Sequence, residues 1–555
     1  MRERPASGVA RRAASVAAAV LLASVIGACT VGPDYAPPAA HAPAAWNDMR
    51  HTASSAAGAA HAPLSTPSVE ADPDPRWWRS FGDPTLDALV ARALAGNPSL
   101  QAAVLRIAEA REQAAQTASQ GLPNVRTSAS YEREQLGAKG FLESAGVYDR
   151  IDRLGPAASS SGDAAAGEAA ERGAQQALDQ LTAPLNLWQA GFDASWELDL
   201  FGRVRRSVEA ANAQTQAAVE SQRDAQVSLE AEVAETYLQL RGAQVLRAIA
   251  VSLVEQQQQT VELARNSAQH GLESELDVER AQAQRTGTEA LVPQYDQQIA
   301  ESLNGLAVLT GEAPGALDAW LAAPGALPAT PPVVPVGLPA TLARRRPDIR
   351  RAEASLHAAT ADVGVAVAQF YPDISLSAQV GTRATTPHDL ARWSSLFWSW
   401  GPSVSLPVFQ GGALVANLRL SKLEQAQAAL DYRSTVLAAL GDVNNALAVY
   451  RTDQMRSASL DESVVAQQRA LDLARDSYRK GIVSFIDVLD AARQVSDAQR
   501  DAGQARLQVC TDLVSLYKSL GGGWEPGTDE IAPPSRSVAA PGGVNSGLAD
   551  HPPGQ

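Results

Sequence analysis

Apolar and polar residues alternate without a break along the stretch FDASWELDLFG, Phe192–Gly202. A period of two predicts a β-strand with one apolar face and one polar face. Three further stretches alternate in the same way, so the sequence predicts four strands. They lie at Val125–Glu132, Phe192–Leu200, Ile374–Thr382 and Trp398–Val408. The ends of the last strand are the hardest to place, because Pro402 and Pro407 have no N–H group for a paired strand.

The sequence around these strands is rich in Ala, Gln, Glu and Arg and predicts long helices. Residues 203–270 contain no proline and would form a rod of roughly 100 Å at 1.5 Å per residue. Residues 411–480 predict a second rod of similar length. Helical stretches of about half that length are predicted at 85–121, 275–310, 341–369 and 485–520. Helices this long and thin need lateral partners along their whole length.

The chain contains an internal repeat. Leu263–Gln284 and Leu473–Gln494 align without a gap, and the residues they share include a Gly, a Ser and an Asp at fixed spacing. A weaker match relates Leu122–Ser130 to Tyr371–Gln379. The sequence therefore predicts two related halves, each with helices, two strands and a long helical hairpin.

The N-terminus predicts export and lipid attachment. Four arginines precede a short apolar run, which ends in VIGAC at Cys29. This pattern is typical of a secretory signal, and it is shorter than the roughly 20 residues that a transmembrane helix needs. The box resembles the bacterial lipoprotein cleavage site, which would leave Cys29 as the lipidated first residue. Plain cleavage with a free cysteine is the alternative.

These features divide the chain into six predicted regions. The low-complexity segment 154–184 is predicted to be a long exposed loop. The regions are a signal peptide at 1–28, a lipid-anchored flexible segment at 29–76, a first repeat at 77–311, a linker at 312–340, a second repeat at 341–522 and a disordered tail at 523–555.

Composition removes several classes of function. The formal net charge of −15 argues against nucleic-acid binding. His270, His357 and His388 lie on separate elements without a nucleophile motif or metal-ligand spacing, so no enzyme activity, metal or cofactor is predicted. Cys510 is expected to be a buried small residue.

The strands constrain how the chain could enter a membrane. No segment after the signal could cross a bilayer as a helix, so strands would have to do so. A sheet in a bilayer must close, because an open edge leaves unpaired backbone groups in hydrocarbon. Bacterial barrels have at least eight strands, so four strands require two or three copies. The alternative is a small, half-buried sheet in a soluble protein.

Several motifs together resemble the TolC-like outer membrane factors, specifically their NodT-type lipoprotein branch. The resemblance covers about Cys29 to Trp524. The motifs are CTVGPDYAPP after the lipid box, WWRSFGDPTLDALVARALAGNPSL, the LDLFGR joint and two G-x-x-S-x-x-D-V turns.

This resemblance implies a mainly α fold with a small antiparallel β part. Three copies would form a 12-stranded outer-membrane barrel, continued by a periplasmic helical coiled-coil barrel. The function implied is a passive exit duct for drugs or toxic compounds, working with a periplasmic adaptor (membrane fusion protein) and an inner-membrane pump of the resistance-nodulation-division type. A duct for type I protein secretion, and a lipid-anchored periplasmic scaffold without a pore, are the alternatives.

The two repeated turns carry the candidate functional residues. Gly271 and Gly481 suit left-handed helix C-caps, and Ser274 and Ser484 suit N-caps with an acid three residues later. By resemblance, Asp487 and Asp490 match the aspartates of the family's entrance, Tyr478 matches a closing contact and Asp277 a partner acid. In a trimer each aspartate would form a ring that attracts cations.

Adaptor docking is predicted at the same tips. The candidate docking residues are Gly271, Leu272, Ser274, Gly481, Ile482, Val483 and Ser484. Apolar Ile482 and Val483 also stand where the family carries a basic residue, so the family's closing salt bridges have no evident counterpart here.

Overall fold

The computed structural model describes residues 30–38, 42–47, 49, 65–135, 137–153, 164–271 and 274–525. The signal peptide, Cys29, Leu272 and the tail beyond Glu525 lie outside these residues. The described part is mainly helical, with a small antiparallel sheet. Within it, no helix is both long enough and apolar enough to cross a bilayer.

The elements follow one another in this order. They are β1 Thr66–Ser68, α1 Pro84–Gly96, α2 Pro98–Ser119, β2 Asn124–Glu134, α3 Ala138–Ser144, α4 Val147–Asp152, α5 Ala164–Thr182, β3 Leu185–Glu197, α6 Arg203–Gln269, α7 Glu275–Glu289, α8 Leu291–Thr310, α9 Asp318–Leu321, β4 Val333–Pro335, α10 Leu342–Arg345, α11 Pro347–Ala368, β5 Asp373–Ala384, β6 Leu396–Ser405, α12 Ala413–Arg479 and α13 Phe485–Ser519.

These elements form two compact units. Among the described residues, the first unit takes those up to Ala40 and those of Ser99–Gln222 and Asp348–Ala438, and it contains the four-stranded sheet. The second takes the described residues of His41–Pro98 and Arg223–Pro347 and those from Ala439 to Glu525, and it contains both turns that join long helices to return helices.

In the first unit, β2, β3, β5 and β6 form an antiparallel sheet in that order. One face is apolar, and several of its large side chains are between 36% and 71% exposed. They are Val125, Tyr131, Phe192, Trp196, Val380, Trp398, Trp400 and Val404. The other face is polar: Asp193 accepts hydrogen bonds from Ser128 Oγ (2.9 Å) and Gln379 Nε2 (2.6 Å). The sheet therefore exposes an unusual amount of apolar surface.

All four predicted strands are present, and two of them, β3 and β6, have at least one end shifted by three residues or more. β3 begins at Leu185 rather than Phe192, directly after Pro184, and it ends at Glu197. The chain leaves the sheet there because Asp199 caps helix α6, accepting hydrogen bonds from the N–H groups of Val204 (3.2 Å) and Arg205 (2.9 Å). β6 ends at Ser405, before Pro407.

The prediction of a loop at 154–184 is wrong for residues 164–182, which form helix α5. Alanine-rich sequence without proline favours helix, and here that propensity outweighs the low complexity of the segment. Gln175 of α5 donates a hydrogen bond to Asp152 of α4 (2.9 Å). Residues 154–163 lie outside the described part.

The prediction of a flexible segment at 29–76 is also wrong for its described residues. In the first unit, Arg206 binds Asp34 (2.6 Å) and donates to Val31 O, and Tyr35 stacks on His357 with ring centroids 4.2 Å apart. In the second unit, Trp46 is fully buried. Aromatic burial outweighs the flexible composition of the segment.

The same segment supplies a strand in the second unit. β1 pairs in parallel with β4, which lies in the predicted 312–340 linker. Trp46 Nε1 donates to Gly337 O (2.8 Å), two residues beyond β4. The linker thus packs against the N-terminal residues instead of crossing solvent.

The predicted return helix 275–310 is divided into α7 and α8. Pro293 lies in the first turn of α8 and cannot donate to the carbonyl of Glu289, so the hydrogen-bond ladder is interrupted at Ala290. The matching return helix α13 has no proline and continues for 35 residues.

The predicted tail does not begin at Gly523, because Gly523 and Trp524 are packed. Trp524 is 7% exposed, donates to Arg345 O (2.9 Å) and lies under the Arg223 guanidinium. Gln226 Nε2 donates to Gly523 O (2.8 Å). Beside them, burial raises the pKa of Glu230 to about 8, so this carboxyl group is largely protonated at neutral pH.

Replacing Trp46 with Ala tests the packing of the N-terminal segment. We expect Trp46→Ala to cost about 3 kcal/mol or more in the free energy of unfolding and to lower the melting temperature, because the cavity left by a buried indole is large. Trp393→Ala is the matched control, since Trp393 is 87% exposed. Equal melting temperatures for the two variants would contradict the packing.

Candidate functional site

The second turn, between α12 and α13, begins with a Schellman motif. Gly481 has φ 68°, in the left-handed region that favours glycine. Its N–H donates to Tyr478 O (2.9 Å), and the Ile482 N–H donates to Ser477 O (2.9 Å). These two bonds satisfy carbonyls at the end of α12. The predicted glycine C-cap is thus present.

The first turn uses the same conformation. Gly271 also has φ 68°, and its N–H donates to Ala268 O (2.9 Å). The next residue of the turn, Leu272, lies outside the described residues, so its predicted docking role remains a prediction.

A capping box begins helix α13. The Ser484 N–H and Ser484 Oγ both donate to Asp487 Oδ2, at 2.9 and 2.6 Å. At the first turn, Ser274 Oγ donates to Asp277 Oδ2 (2.7 Å), and Arg280 lies 3.4 Å from Asp277 Oδ1. Both candidate acids, Asp277 and Asp487, therefore have a local structural partner in their own turn.

An apolar cluster joins the four helices behind the turns. Tyr478 of α12 packs against it: its ring centroid lies 5.4 Å from that of Phe485, and its hydroxyl donates to Ser267 Oγ of α6 (3.4 Å). The buried members of the cluster are Val261, Ala264, Val278, Ala281, Phe485 and Leu489. Tyr478 thus links the hairpin of α12 and α13 to the hairpin of α6 and α7.

Asp490 lies one turn into α13 and is held by its own helix. Arg493 Nη2 donates to one carboxylate oxygen (2.8 Å) and Gln494 Nε2 to the other (2.7 Å). The Arg493 guanidinium and the Gln494 amide lower the pKa of Asp490, so the carboxylate keeps its charge to lower pH than a free aspartate.

Arg493 is the cation that sequence reasoning missed. Near Gly481 the sequence offers Arg475, Arg479 and Lys480, which all precede the glycine, and Lys480 pairs with Asp476 (2.5 Å). The signal was the D-x-x-R spacing of Asp490 and Arg493, which places the two side chains on one helix face.

The tips expose apolar side chains to solvent. Ile482 is 71% exposed, Val483 is half-buried, and Gly271, Ser274, Gly481 and Ser484 are exposed. Two exposed neighbours were not predicted: Leu276 (57%) and Ile486 (45%) in the first turns of α7 and α13. These residues could form part of a partner surface at each tip.

The described residues offer no group of three or more acidic, His or Cys side chains that could hold a metal ion. Cys510 is buried, and burial raises the pKa of its thiol to about 12, so the reactive thiolate is not formed. His357 lies 3.0 Å from Glu209 and stacks on Tyr35, in the packing of the N-terminal segment.

Comparison with known proteins identifies the family. The family described as "Outer membrane efflux protein" matches residues 89–312 and 338–522. The chain belongs to the outer membrane efflux protein family. It is therefore an outer-membrane efflux component whose family serves transport.

Individual relatives are similar to this chain over almost its whole length. The "Probable efflux pump outer membrane protein TtgC" of Pseudomonas putida is 30% identical over 530 residues, which cover 95% of this chain and 99% of the relative. "Nodulation protein T" of Rhizobium leguminosarum bv. viciae is 30% identical, covering 91% and 93%. The solved outer-membrane channel OprN has a TM-score of 0.76 and 35% identity, covering 90% of this chain and 100% of OprN.

The capping role of Asp487 is testable apart from any gating role. We expect Asp487→Ala to cost about 1 kcal/mol locally and to speed amide hydrogen exchange in the first turn of α13, because the Ser484 N–H loses its acceptor. Asp490→Ala removes a carboxylate outside the cap and is the control. Equal exchange in the two variants would contradict the capping role.

Proposed function

We propose that three copies of this chain form an outer-membrane channel, the passive exit duct of a tripartite efflux pump. Each copy contributes four strands to a 12-stranded barrel, and α6 and α12 continue the duct into the periplasm as a helical barrel. The cargo is small molecules such as drugs or toxic compounds.

One observation carries the proposal: an open antiparallel sheet with large apolar side chains exposed on one face. Its edge strands are β2 and β6, and their outer backbone groups face away from the sheet. In hydrocarbon such edges need partners, and the apolar face suits lipid. Trp398 and Trp400, 67% and 71% exposed, suit the membrane interface.

The lengths of the helices support the periplasmic part of the proposal. Helices α6 and α12 have 67 residues each, which corresponds to roughly 100 Å. Exposed leucines at seven-residue spacing on α12, Leu423, Leu430 and Leu437, suit a lateral partner helix.

We place the gate at the periplasmic tips, with rings of Asp487 and Asp490 at the mouth, Tyr478 in the closing contacts and Asp277 on the neighbouring turn. Asp490 is the stronger candidate of the two ring aspartates, since Asp487 serves the capping box. The Asp490 ring would attract cations, and the positive charge of the paired Arg493 would weaken this attraction.

The partners follow from the same arrangement. A periplasmic adaptor would dock on the exposed tips formed by Gly271, Leu272, Ser274, Gly481, Ile482, Val483 and Ser484, and an inner-membrane pump of the resistance-nodulation-division type would supply the energy. A lipid on Cys29 would anchor each copy to the outer membrane.

Reconstitution in planar bilayers tests the channel. We expect purified protein to give discrete single-channel steps. A protein that folds in detergent but gives no conductance at any voltage or concentration would contradict the proposal and favour a scaffold without a pore.

Replacing Asp490 with Asn tests the gate. We expect Asp490→Asn to lower the ratio of cation to anion permeability roughly twofold, because a charge ring acts most strongly at the narrowest point. Asp497→Asn is the matched control: Asp497 lies seven residues further along α13 and pairs with Arg500 (3.1 Å) at the same spacing. Unchanged selectivity in Asp490→Asn, or equal changes in both variants, would remove the role.

A further inference from the structure

The chain leaves a group of large apolar side chains exposed where β6 leads into α12. Leu406 is 53%, Val408 90% and Phe409 89% exposed. At the opposite edge of the sheet, Leu122 and Val125 at the start of β2 are 57% and 65% exposed. Apolar exposure of this extent marks a surface that another molecule buries.

The other joint of the same unit shows how such residues are covered. Where β3 leads into α6, the ring of Phe201 stacks on Tyr371, at the start of β5, with centroids 4.9 Å apart. The Leu198 N–H donates to Ile374 O (2.8 Å), which extends the β3–β5 ladder by one step.

The elements at the two joints correspond residue by residue. Helices α2 and α11 have 22 residues each, and β2 and β5 follow them at the same distance: Pro98 and Asn124 stand 249 residues before Pro347 and Asp373. Helices α6 and α12 have 67 residues each and follow Gly202 (φ 85°) and Gly412 (φ 89°), which stand 210 residues apart.

The strand pairs within the chain agree with this correspondence. In the β2–β3 hairpin Asn124 lies opposite Ser195, and in the β5–β6 hairpin Asp373 lies opposite Ser405. The second pair is the first one shifted by the same 249 and 210 residues. The shifts therefore relate strands as well as helices.

We propose that β6 of one copy pairs antiparallel with β2 of the next copy in the register that β3 and β5 use within the chain. The pair Asp193 and Gln379 then becomes Ser403 opposite Ser130 of the next copy. By the same shift, the hydrogen bond from Leu198 to Ile374 becomes one from Val408 to Val125 of the next copy. This inference rests on the proposed function, because it specifies how the copies join.

The register covers what a single copy leaves open. Val408 and Phe409 come opposite Val125 and Asn124 of the next copy, close to its exposed Leu122. It also pairs both edge strands, which removes their unpaired N–H and C=O groups.

Sequence alignment alone gives a different register. Leu-Asp-Leu-Phe at 198–201 aligns with Leu-Pro-Val-Phe at 406–409, a shift of 208 residues, which would place Ser403 opposite Ser128. The shifts differ because two more residues separate Phe409 from Gly412 than separate Phe201 from Gly202. The hairpins and the helix starts follow the shift of 210.

Two double-cysteine variants separate these registers in intact membranes. Ser403→Cys with Ser130→Cys joins the proposed partners, and Ser403→Cys with Ser128→Cys is displaced by two residues on the same face. A disulfide needs Cα atoms within about 7 Å, and a two-residue displacement moves them beyond that. Cys510 is buried and remains in both variants.

We expect oxidation to convert the first variant to covalent dimers and trimers at least fivefold more completely than the second, seen on non-reducing gels. Both variants must give single-channel steps when reduced, which shows that they have folded. Stronger cross-linking of the Ser128 variant, or none in either conducting variant, would overturn the register while the channel stands. Absence of conductance in the unmodified protein would instead overturn the proposed function, and the register with it.

Discussion

The main constraint on this structure is the need to pair the backbone groups of β2 and β6. An edge strand presents a row of N–H and C=O groups, and in hydrocarbon each unpaired group costs several kcal/mol. The sheet has four strands and two such edges, with large apolar side chains on one face. A single copy cannot satisfy both requirements in a membrane, whereas the proposed assembly of identical copies would.

The two turns hold structural contacts at the same residues to which we assign the proposed gate. Asp487 accepts the bonds that begin helix α13, and Tyr478 ties the two hairpins together through Phe485 and Ser267. Asp490 lies outside the cap, and Arg493 and Gln494 of its own helix donate hydrogen bonds to its carboxylate. A gate built from Asp490 can therefore change its charge without loss of the turn that holds it.

Periodicity in the sequence predicted much of this fold, because alternation and long proline-free stretches are local signals. Helices α6 and α12 lie within one or two residues of their predicted bounds at each end, and all four strands of the sheet are present. Contacts between distant segments were missed. Trp46 reaches Gly337, and β1 reaches β4, through pairings that no local pattern indicates. At the tips, the glycine and serine caps followed from spacing, whereas Arg493 was not predicted, because it lies beyond the turn, within the return helix.

The central claim is that the chain completes its membrane structure only together with identical copies. Native mass spectrometry of the folded protein, released from a mild detergent, measures the number of copies directly. The account predicts a particle of three chains. A folded particle of one chain under these conditions would contradict it.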